Sequence, residues 1–564
     1  TNPVALMKRS DSGFVGLSNQ GATCYLNSLI QALYMTPELR QLVYQWKYNP
    51  SVHASAQHCI PLQLQKLFAR LQLSEKRSAV TKGLTTSFGW TSTDAFIQHD
   101  VQELCRVLMD ALDESFEQSE NDQEKNHENS HGDNNNSGSN GSTSHGGMKY
   151  GRVSNLYKGV MLDYIQVVEP CTPTTTTTTT TSQTTLDTDG DVQMSTSNDG
   201  NDQQNVENEQ NGTMMTMIDQ KYRPVINAST GQPYGRVRED AYMDIQLVVR
   251  DMDSVEQSLQ SYIRPELLTG DNQWCCEDLN NQKVDAKKGL ALKTLPYLLS
   301  LQLNRFDYDY VTWQRIKLAN RITFPFYLDM SPFVVQEQQQ QQYSSKLYEL
   351  FAVLIHSGSA NGGHYFAYIK SFENGKWYNF NDSSVQEIDE EAVKVMYGGS
   401  SGEAGRSAYK SVNASTNAYM LMYRLVDPER NLMSVPDSMI PNDIRREVEE
   451  ENEQFREEVR HKEREQQIAK VKVFLPKIRG DYSRTLSLDV ELEKNATFIE
   501  AKKQIFAKAV ELEDWSERES SIDNCRIREY DLIKRRPGKV VRSSSDDAPI
   551  STLGIRNYSA LTIQ

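Results

Sequence analysis

Two polar, low-complexity stretches limit how much of the chain can fold. The first, at about residues 118–147, is rich in Asn, Ser, Gly and His, and the second, at about 172–235, holds a poly-Thr tract followed by Asp, Asn and Gln. Neither stretch can bury enough apolar surface to offset the conformational entropy lost on folding. We therefore predict that both are disordered insertions, which explains why only 38% of the residues are hydrophobic.

The net charge and the cysteine content exclude several classes of protein. A formal net charge of −16 repels nucleic acid, so we expect no nucleic-acid partner. Apolar runs shorter than about 18 residues predict no membrane span, and the first residues lack the apolar core of a signal peptide. Seven scattered cysteines, an odd number, are typical of a reducing compartment. Because the sequence does not begin with Met, we expect a piece of a longer chain.

Apolar periodicity predicts an α+β protein. Helical spacing appears in residues 24–34 and again at about 100–116, and we interpret both stripes as core-facing. From DAYMDIQLVV (residues 240–249) onward, segments rich in aromatic and branched residues alternate with short turns, which predicts a meandering antiparallel sheet. Opposite charges three or four residues apart predict a solvated helix at 442–469. Residues 470–564 then show the β-β-α-β order of a separate, compact unit.

The segment GLSNQGATCYLNSLIQ, residues 16–31, places a cysteine where a Gly-containing loop becomes an apolar helix. Backbone N–H groups at a helix N-terminus favour a thiolate, so Cys24 is a candidate nucleophile. Asn19 lies on the same loop, and its side-chain amide can donate to an oxyanion formed beside the sulfur. A buried structural cysteine beside a turn-forming asparagine is the alternative, and this segment alone does not decide between the two.

The segment HSGSANGGHYFAYIK, residues 356–370, offers two candidate bases. His364 follows two glycines, which let backbone and substrate approach closely, and it opens a strand. A neutral imidazole there can take a thiol proton and later protonate a leaving amine. His356 competes for this role, although its place late in an apolar strand favours a structural imidazole.

The segment KWYNFNDSSV, residues 376–385, closes a strand with Asn381 and Asp382. A side-chain oxygen at either position can accept from the far imidazole nitrogen and fix its tautomer, as in Cys-His-Asn protease sites. An ordinary Asx turn is the alternative. The order of an early Cys, a late His and an Asn or Asp soon after it is the order of a cysteine protease.

Together these segments resemble the signature motifs of the ubiquitin-specific protease family of deubiquitinases. Residues 16–31 resemble its cysteine box, GGHYFAYIK with KWYNFND resembles its histidine box, and QHDVQEL (residues 98–104) resembles its connecting signature. The strands LPYLLSLQLNRF and NAYMLMYR also match, so the resemblance covers about 14–425 outside the insertions. A papain-like endopeptidase of general specificity is an alternative, and both QHDVQEL and the C-terminal unit count against it.

The resemblance implies a papain-like hand, in which a helical thumb at about 14–116 and a β-rich palm carry the site and extended fingers grip ubiquitin. It implies a catalytic domain at 1–425, a charged linker helix at 426–469 and a small β-grasp ubiquitin-like domain at 470–564.

The implied function is thiol-dependent hydrolysis of the amide or isopeptide bond after the C-terminal glycine of ubiquitin. A catalytically weak ubiquitin-binding scaffold is the alternative. We expect ubiquitin and ubiquitinated proteins as partners, a monomer, and a cytoplasmic location with the nucleus as a second one.

The resemblance also assigns roles to single residues. The nucleophile falls on Cys24, the general base on His364, the orienting residue on Asn381, and the oxyanion donor on Asn19 with the assistance of Asp382. The family's substrate tail ends in Leu-Arg-Leu-Arg-Gly-Gly, and the residues expected to bind it are Gln98, Asp100, Gly363 and Tyr365. Among these, the acidic side chain of Asp100 suits the tail arginines. Gly363 and Tyr365, beside His364, suit a narrow channel that admits only Gly-Gly.

Many members of this family bind a structural zinc ion through two CxxC pairs in the fingers. Here the first position keeps only Cys171, and the second reads Trp274-Cys275-Cys276-Glu277. Adjacent cysteines do not easily place both sulfurs on one tetrahedron. We therefore expect no zinc and no other cofactor.

Overall fold

The computed structural model describes two compact units, Arg9–Arg446 and Glu447–Gln564 together with Thr1–Lys8. Both units mix helices and strands, which confirms the predicted α+β class. No helix among the described residues is long and apolar enough to cross a membrane. The described ranges are 7–90, 100–130, 153–171, 221–335, 346–399, 415–478, 481–511, 525–541 and 548–563.

The helices and strands follow one another along the whole described chain. The helices are α1 (Cys24–Tyr34), α2 (Pro37–Gln45), α3 (Ile60–Leu73), α4 (Lys82–Ser87), α5 (Val101–Ser130), α6 (Ser154–Tyr157), α7 (Val255–Ile263), α8 (Glu390–Val395), α9 (Asn442–Gln467) and α10 (Phe498–Val510). The strands are β1 (Gly16–Ser18), β2 (Ser78–Val80), β3 (Gly159–Pro170), β4 (Tyr222–Pro224), β5 (Gly235–Tyr242), β6 (Asp244–Val248), β7 (Glu266–Leu268), β8 (Trp274–Cys276), β9 (Gln282–Val284), β10 (Ala286–Thr294), β11 (Leu298–Asn304), β12 (Phe306–Asp309), β13 (Gln314–Lys317), β14 (Tyr327–Asp329), β15 (Leu347–Ser359), β16 (Gly362–Lys370), β17 (Trp377–Asn381), β18 (Ser384–Ile388), β19 (Thr416–Leu425), β20 (Ile468–Ile478), β21 (Asp481–Glu493), β22 (Ile527–Asp531), β23 (Arg536–Val540) and β24 (Ala560–Ile563).

The first unit is built on an eight-stranded sheet in the order β18-β17-β16-β15-β19-β11-β6, with β14 paired to β15. Apolar residues of this sheet share a core with α7 and α8, as Leu301, Val353 and Val393 illustrate. Helix α1, buried at every position, packs against β16 and β17. Because β16 and β17 carry the predicted histidine and asparagine, this packing brings the two ends of the cysteine-protease pattern together.

A second sheet of the first unit shows that the later insertion is shorter than predicted. Its order is β4-β3-β10-β7, with β5 also paired to β3. Residues 221–235, predicted to be disordered, hold β4 and a turn at Asn227–Gly231, where Gly231 takes a left-handed φ of 67°. The Asn, Thr and Gly residues of this segment therefore form a hairpin turn.

Two further element bounds differ from the prediction. The alternating segment 240–249 is not one strand, because the chain leaves the five-stranded sheet at Tyr242 and enters the eight-stranded sheet at Asp244. Helix α5 continues to Ser130, beyond the predicted start of the first insertion at 118. Glu, Gln and Lys have good helix propensity without being apolar, so a helix extends past its buried stripe.

The second unit contains a mixed five-stranded sheet in the order β21-β20-β24-β22-β23, in which β20 and β24 run parallel. Helix α10 begins with a capping box between Thr497 and Glu500, and its Ala501 and Ile505 join the core of the sheet. The charged helix α9 covers most of the predicted range 442–469, and the boundary between the two units falls within it.

A buried carboxylate ties the segment after β19 to the helical part of the first unit. Glu38 Oε1 in α2 accepts from Arg424 Nη1 at 3.1 Å, from Tyr297 Oη at 3.0 Å and from the backbone N–H of Leu432 at 2.8 Å. Both charged side chains are nearly inaccessible, with 3% of Arg424 and 10% of Glu38 exposed. Because of such contacts the compact unit continues past the predicted boundary at 425 to Arg446.

We expect Glu38→Ala to destabilise the first unit by about 3–5 kcal/mol, because it leaves a buried guanidinium without its carboxylate. The exposed pair between Glu391 and Lys394 provides the control, and Glu391→Ala is expected to change the free energy of unfolding by less than about 0.5 kcal/mol. Guanidinium unfolding followed by tryptophan fluorescence measures both, since all but one of the six tryptophans precede Arg446. Equal effects of the two substitutions would contradict this interpretation.

Candidate active site

Cys24 is the first residue of α1. It follows a loop that is held in place by hydrogen bonds of the loop's own side chains. Asn19 Oδ1 accepts from the backbone N–H groups of Gly21 at 2.9 Å and Thr23 at 3.2 Å, and Thr23 Oγ1 accepts from the N–H of Gln20 at 3.0 Å. The first turn of α1 holds no acidic residue, so the sulfur lies at the positive end of the helix dipole without a competing charge. The thiol is buried in the crevice between α1 and β16, where the N–H of Tyr365 points at Sγ from 3.4 Å.

His364 on β16 lies between the thiol and Asn381. Its Nε2 is 2.7 Å from Asn381 Oδ1. An amide oxygen only accepts, so Nε2 carries a proton and Nδ1 is left to face the sulfur. The hydrogen bond with Cys24 is the largest influence on this ring. It raises the pKa of His364 to about 9 against the opposing effect of burial, and the Asn381 bond and the nearby charges add to it. The imidazole therefore carries its proton at neutral pH.

His356, the competing histidine, is in the opposite electrostatic state. It lies on β15, directly opposite Tyr365 in the register, and only 1% of it is exposed. Burial, followed by the charges of Lys317 and His364, lowers its pKa to about 4. A Cβ on Gly363 would lie 2.5 Å from His356 Nε2, so the neutral ring fills the space that a larger residue at 363 would need. The geometry thus favours His364 as the catalytic base and His356 as a structural residue that limits the space beside Gly363.

Asp382 does not pair with the imidazole in this arrangement. Its Oδ2 accepts from Asn19 Nδ2 at 3.0 Å, its Oδ1 accepts from Asn27 Nδ2 at 2.8 Å, and its backbone oxygen accepts from the N–H of Leu17 at 2.8 Å. The residue takes a left-handed φ of 48°, which non-glycine residues seldom adopt. Its carboxylate therefore joins the loop before α1 to α1 itself.

The close approach behind these bonds requires a glycine on β1. A Cβ on Gly16 would lie 2.6 Å from the backbone oxygen of Asp382 and 2.7 Å from the Cα of Ser383. Any larger residue at position 16 would push β1 away from the turn that carries Asp382.

Two of the predicted substrate-binding residues, Asp100 and Tyr365, line a cleft beside this site. The cleft has a volume of about 990 Å³, and its lining includes Ala22, Asp100, His356 and Tyr365. Asp100 precedes α5; its Oδ1 accepts from the N–H of Gln102, and its Oδ2 accepts from Tyr419 Oη, both at 2.7 Å. Gly363 and Tyr365 flank His364 on β16. Gln98 lies outside the described residues.

Two residues of the site, Asn27 and Tyr419, were missed by the sequence analysis. Asn27 lies within the helix predicted at residues 24–34 but was given no role, although an asparagine one turn after a candidate nucleophile is itself a signal. Tyr419 lies in the apolar strand β19, where its hydroxyl also accepts from Gln302 Nε2 at 2.8 Å. Its polar end was not separable from core packing by pattern alone.

The cysteines at the position of the family's zinc site do not converge. Cys275 is exposed, with its thiol 3.0 Å from the backbone oxygen of Asn281, whereas the adjacent Cys276 is fully buried. Successive residues of a strand point to opposite faces, so β8 directs the two sulfurs apart. Across the part of the chain that the structure describes, no group of three His, Cys, Asp or Glu side chains is arranged to hold a metal ion. These residues do not fit a tetrahedral zinc site.

Comparison with known proteins matches most of the chain. A family model described as Ubiquitin carboxyl-terminal hydrolase matches residues 15–423. The chain is 34% identical to human Ubiquitin carboxyl-terminal hydrolase 47, over 93% of this chain and 35% of that protein. It is 34% identical to the Drosophila melanogaster protein of the same name, over 77% of this chain and 26% of that protein. It is 29% identical to Ubiquitin carboxyl-terminal hydrolase 15 of Saccharomyces cerevisiae, over 78% of this chain and 29% of that protein. The chain thus spans about a third or less of these relatives.

We expect the two histidines to titrate on opposite sides of neutral pH, with His364 near pH 9 and His356 near pH 4. Replacement of Cys24 by Ala should lower the pKa of His364 towards its ordinary value of 6.5, because the bond to the thiol is the largest cause of the rise. NMR of histidine-labelled protein measures both values, and His364→Gln assigns the signal. A His364 that titrates at or below 6.5 in the unmodified protein would overturn the proposed geometry.

Proposed function

The chain belongs to the ubiquitin carboxyl-terminal hydrolase family, and from this premise we propose that it is a deubiquitinase of the cysteine-protease type. It hydrolyses the amide or isopeptide bond after the C-terminal glycine of ubiquitin. The observation that carries the proposal is the Cys24–His364–Asn381 arrangement, in which a thiol at a helix N-terminus is hydrogen-bonded to an imidazole that a neutral amide orients.

The first half of the reaction forms a thioester. The sulfur of Cys24 attacks the carbonyl carbon of the terminal glycine, and His364 donates its proton to the leaving amine as the C–N bond breaks. A ring with a pKa of about 9 holds that proton at neutral pH. In the second half, His364 takes a proton from water, the resulting hydroxide attacks the thioester, and the sulfur leaves.

The negative charge that develops on the carbonyl oxygen is stabilised by the side-chain amide of Asn19, on the loop before α1. Asn19 Nδ2 has two hydrogens, of which Asp382 takes one at 3.0 Å, so the second is available to the oxyanion. In this account Asp382 assists the oxyanion donor, and Asn381 alone orients the imidazole.

The substrate tail occupies the cleft beside the site. Asp100 supplies the negative charge that its arginines need. His356 and Tyr365 line the same cleft, and Gly363 lies against His356. Because His356 is neutral and nearly inaccessible, it excludes large side chains from this part of the cleft without placing a second positive charge beside His364.

The papain-like hand and the ubiquitin-like domain belong to the same proposal. The helices α1 to α5 and the eight-stranded sheet correspond to thumb and palm, and the five-stranded sheet around β3 corresponds to the fingers. A β-grasp domain is supported by the parallel pairing of β20 with β24 and by α10, which packs on that sheet. We further propose that the protein acts as a monomer in the cytoplasm, with the nucleus as a second location, where a reducing environment preserves the thiol.

A ubiquitin-binding scaffold without activity is the competing function. It would need neither the bond between His364 and Asn381 nor a left-handed Asp382 beside the nucleophile loop. The retained geometry therefore favours an enzyme.

Replacement of Cys24 by Ala should reduce hydrolysis of a fluorogenic ubiquitin amide to background and leave ubiquitin affinity within about threefold, because binding energy comes from surfaces remote from the sulfur. Steady-state kinetics and calorimetric titration with ubiquitin measure the two quantities. His356→Ala serves as the comparison. It should mainly lower the free energy of unfolding and have a smaller effect on kcat. Full turnover by the Cys24→Ala protein would reject the assignment.

A chain that ends after Arg446 should retain hydrolysis, with kcat/KM within about tenfold of the full chain, because no residue of the site lies in the second unit. A chain that ends at Leu425 is the comparison; it also loses the contact between Leu432 and Glu38 and should unfold more readily. Kinetics and thermal unfolding of both truncations decide the matter. A folded 1–446 protein without turnover would show that the second unit completes the site.

A further inference from the structure

The side chain of Asn27 is a buried polar group beside the nucleophile. It lies one turn after Cys24 in α1, and only 2% of it is exposed. Its Nδ2 donates to Asp382 Oδ1 at 2.8 Å and makes a longer contact, 3.5 Å, with the backbone oxygen of Leu17. The carboxylate accepts only, so the amide nitrogen must face it. The other amide atom, Oδ1, is buried without a hydrogen-bond partner among the described residues. An apolar residue would avoid that unsatisfied acceptor, so what the amide supplies at this position is its donor N–H groups, of which the bond to Asp382 is the shorter.

Asn27 is the buried end of a chain of two hydrogen bonds. Asp382, half-buried, accepts from Asn27 with one carboxylate oxygen and from the exposed Asn19 with the other. Water competes for the hydrogen bonds of Asp382 and Asn19, whereas it does not reach Asn27. Asn27, the buried member, belongs to the same helix as the nucleophile and fixes one end of this pair of hydrogen bonds.

The geometry of a planar amide transmits this restraint to the oxyanion donor. Once one hydrogen of Asn19 Nδ2 is bonded to Asp382, and Asn19 Oδ1 is bonded to the N–H groups of Gly21 and Thr23, the plane of the amide is set. The direction of its second hydrogen follows. Stabilisation of an oxyanion depends on donors that are oriented before the reaction.

We propose that Asn27 is a positioning residue for the oxyanion: it holds the carboxylate of Asp382, and through it the donor N–H of Asn19. The inference rests on the proposed deubiquitinase function. Asn27 does not touch substrate, and its effect is expected on the reaction step that develops negative charge on oxygen.

The test is Asn27→Leu, which keeps the γ-branched shape of the side chain, with a somewhat larger volume, and removes the donor. We expect kcat for a fluorogenic ubiquitin amide to fall about tenfold, which is less than the loss from removing an oxyanion donor outright, and KM to stay within about twofold. Gln31→Leu is the matched control, because Gln31 is equally buried one turn further along α1 but donates to the backbone oxygen of Val15. It should lose comparable thermal stability without the loss in kcat.

A second readout separates the oxyanion from the nucleophile. A ubiquitin that carries a bromoalkyl group at its C-terminus alkylates the sulfur by displacement of bromide, with no carbonyl oxygen to stabilise. Its rate of reaction with Cys24 should be unchanged by Asn27→Leu. An equal loss in alkylation would overturn the proposal, since Asn27 would then act on the thiol or on binding.

The route through Asn19 is tested by a double substitution. In an Asn19→Ala background, Asn27→Leu should cause little further loss of kcat, because the donor that it orients is already absent. Losses that multiply, an unchanged kcat in Asn27→Leu, or an equal loss in Gln31→Leu would each overturn the inference. If Asn27→Leu does not fold, Asn27→Ala replaces it. Absence of both turnover and alkylation in the unmodified protein would instead reject the proposed function itself.

Discussion

The carboxylate of Asp382 is the contact on which the arrangement of this site depends. The nucleophile belongs to a helix near the start of the chain and the base belongs to a strand more than three hundred residues later. At the end of β17, Asp382 accepts from Asn19, from Asn27 and, through its backbone oxygen, from Leu17. A hydrogen bond tolerates an error of only a few tenths of an ångström. The spacing of thiol and imidazole therefore depends on Asp382 as well as on the packing of α1 against β16.

The two histidines show how neighbours decide chemistry within a few ångströms. Both belong to the hairpin of β15 and β16, and both are at least half-buried. His364 gains partners for its charged form and holds a proton, whereas His356 has positive neighbours and a buried ring and stays neutral. Desolvation lowers the pKa of both rings: it is the largest cause for His356, whereas for His364 the hydrogen bond with Cys24 outweighs it. The burial of a histidine alone is a poor guide to its role.

Much of the site could be predicted from the sequence because its motifs are local. The cysteine at a loop-to-helix junction and the histidine after two glycines lie where the pattern placed them. The partner of Asp382 could not be predicted, because adjacent residues at a strand end point in directions set by a left-handed backbone that no composition rule reveals. Asn27 was hidden for a related reason. Periodicity identifies the buried face of a helix, but it does not show which buried polar atom has a partner on another element.

The limits of the fold prediction have a similar origin. Residues 221–235 have the composition of a flexible segment, yet backbone pairing with β3 orders them. Long-range pairing of this kind depends on a partner more than fifty residues earlier, which a local window does not contain. The extent of the first unit beyond 425 depends likewise on Glu38, a residue at the other end of that unit.

The pairing of β3 with β4 also bears on how such a chain can be lengthened. Pro170 and Tyr222 are opposite one another in an antiparallel register, and the N–H of Cys171 donates to the backbone oxygen of Lys221 at 2.7 Å. The chain thus departs from the sheet and returns to it at adjacent points, whatever the length between them. The entropy of closing a loop grows only with the logarithm of its length, by about 0.6 kcal/mol for each doubling. A reporter domain can accordingly be inserted at this position, because the pairing of β3 with β4 requires only that the two ends of the insertion stay adjacent.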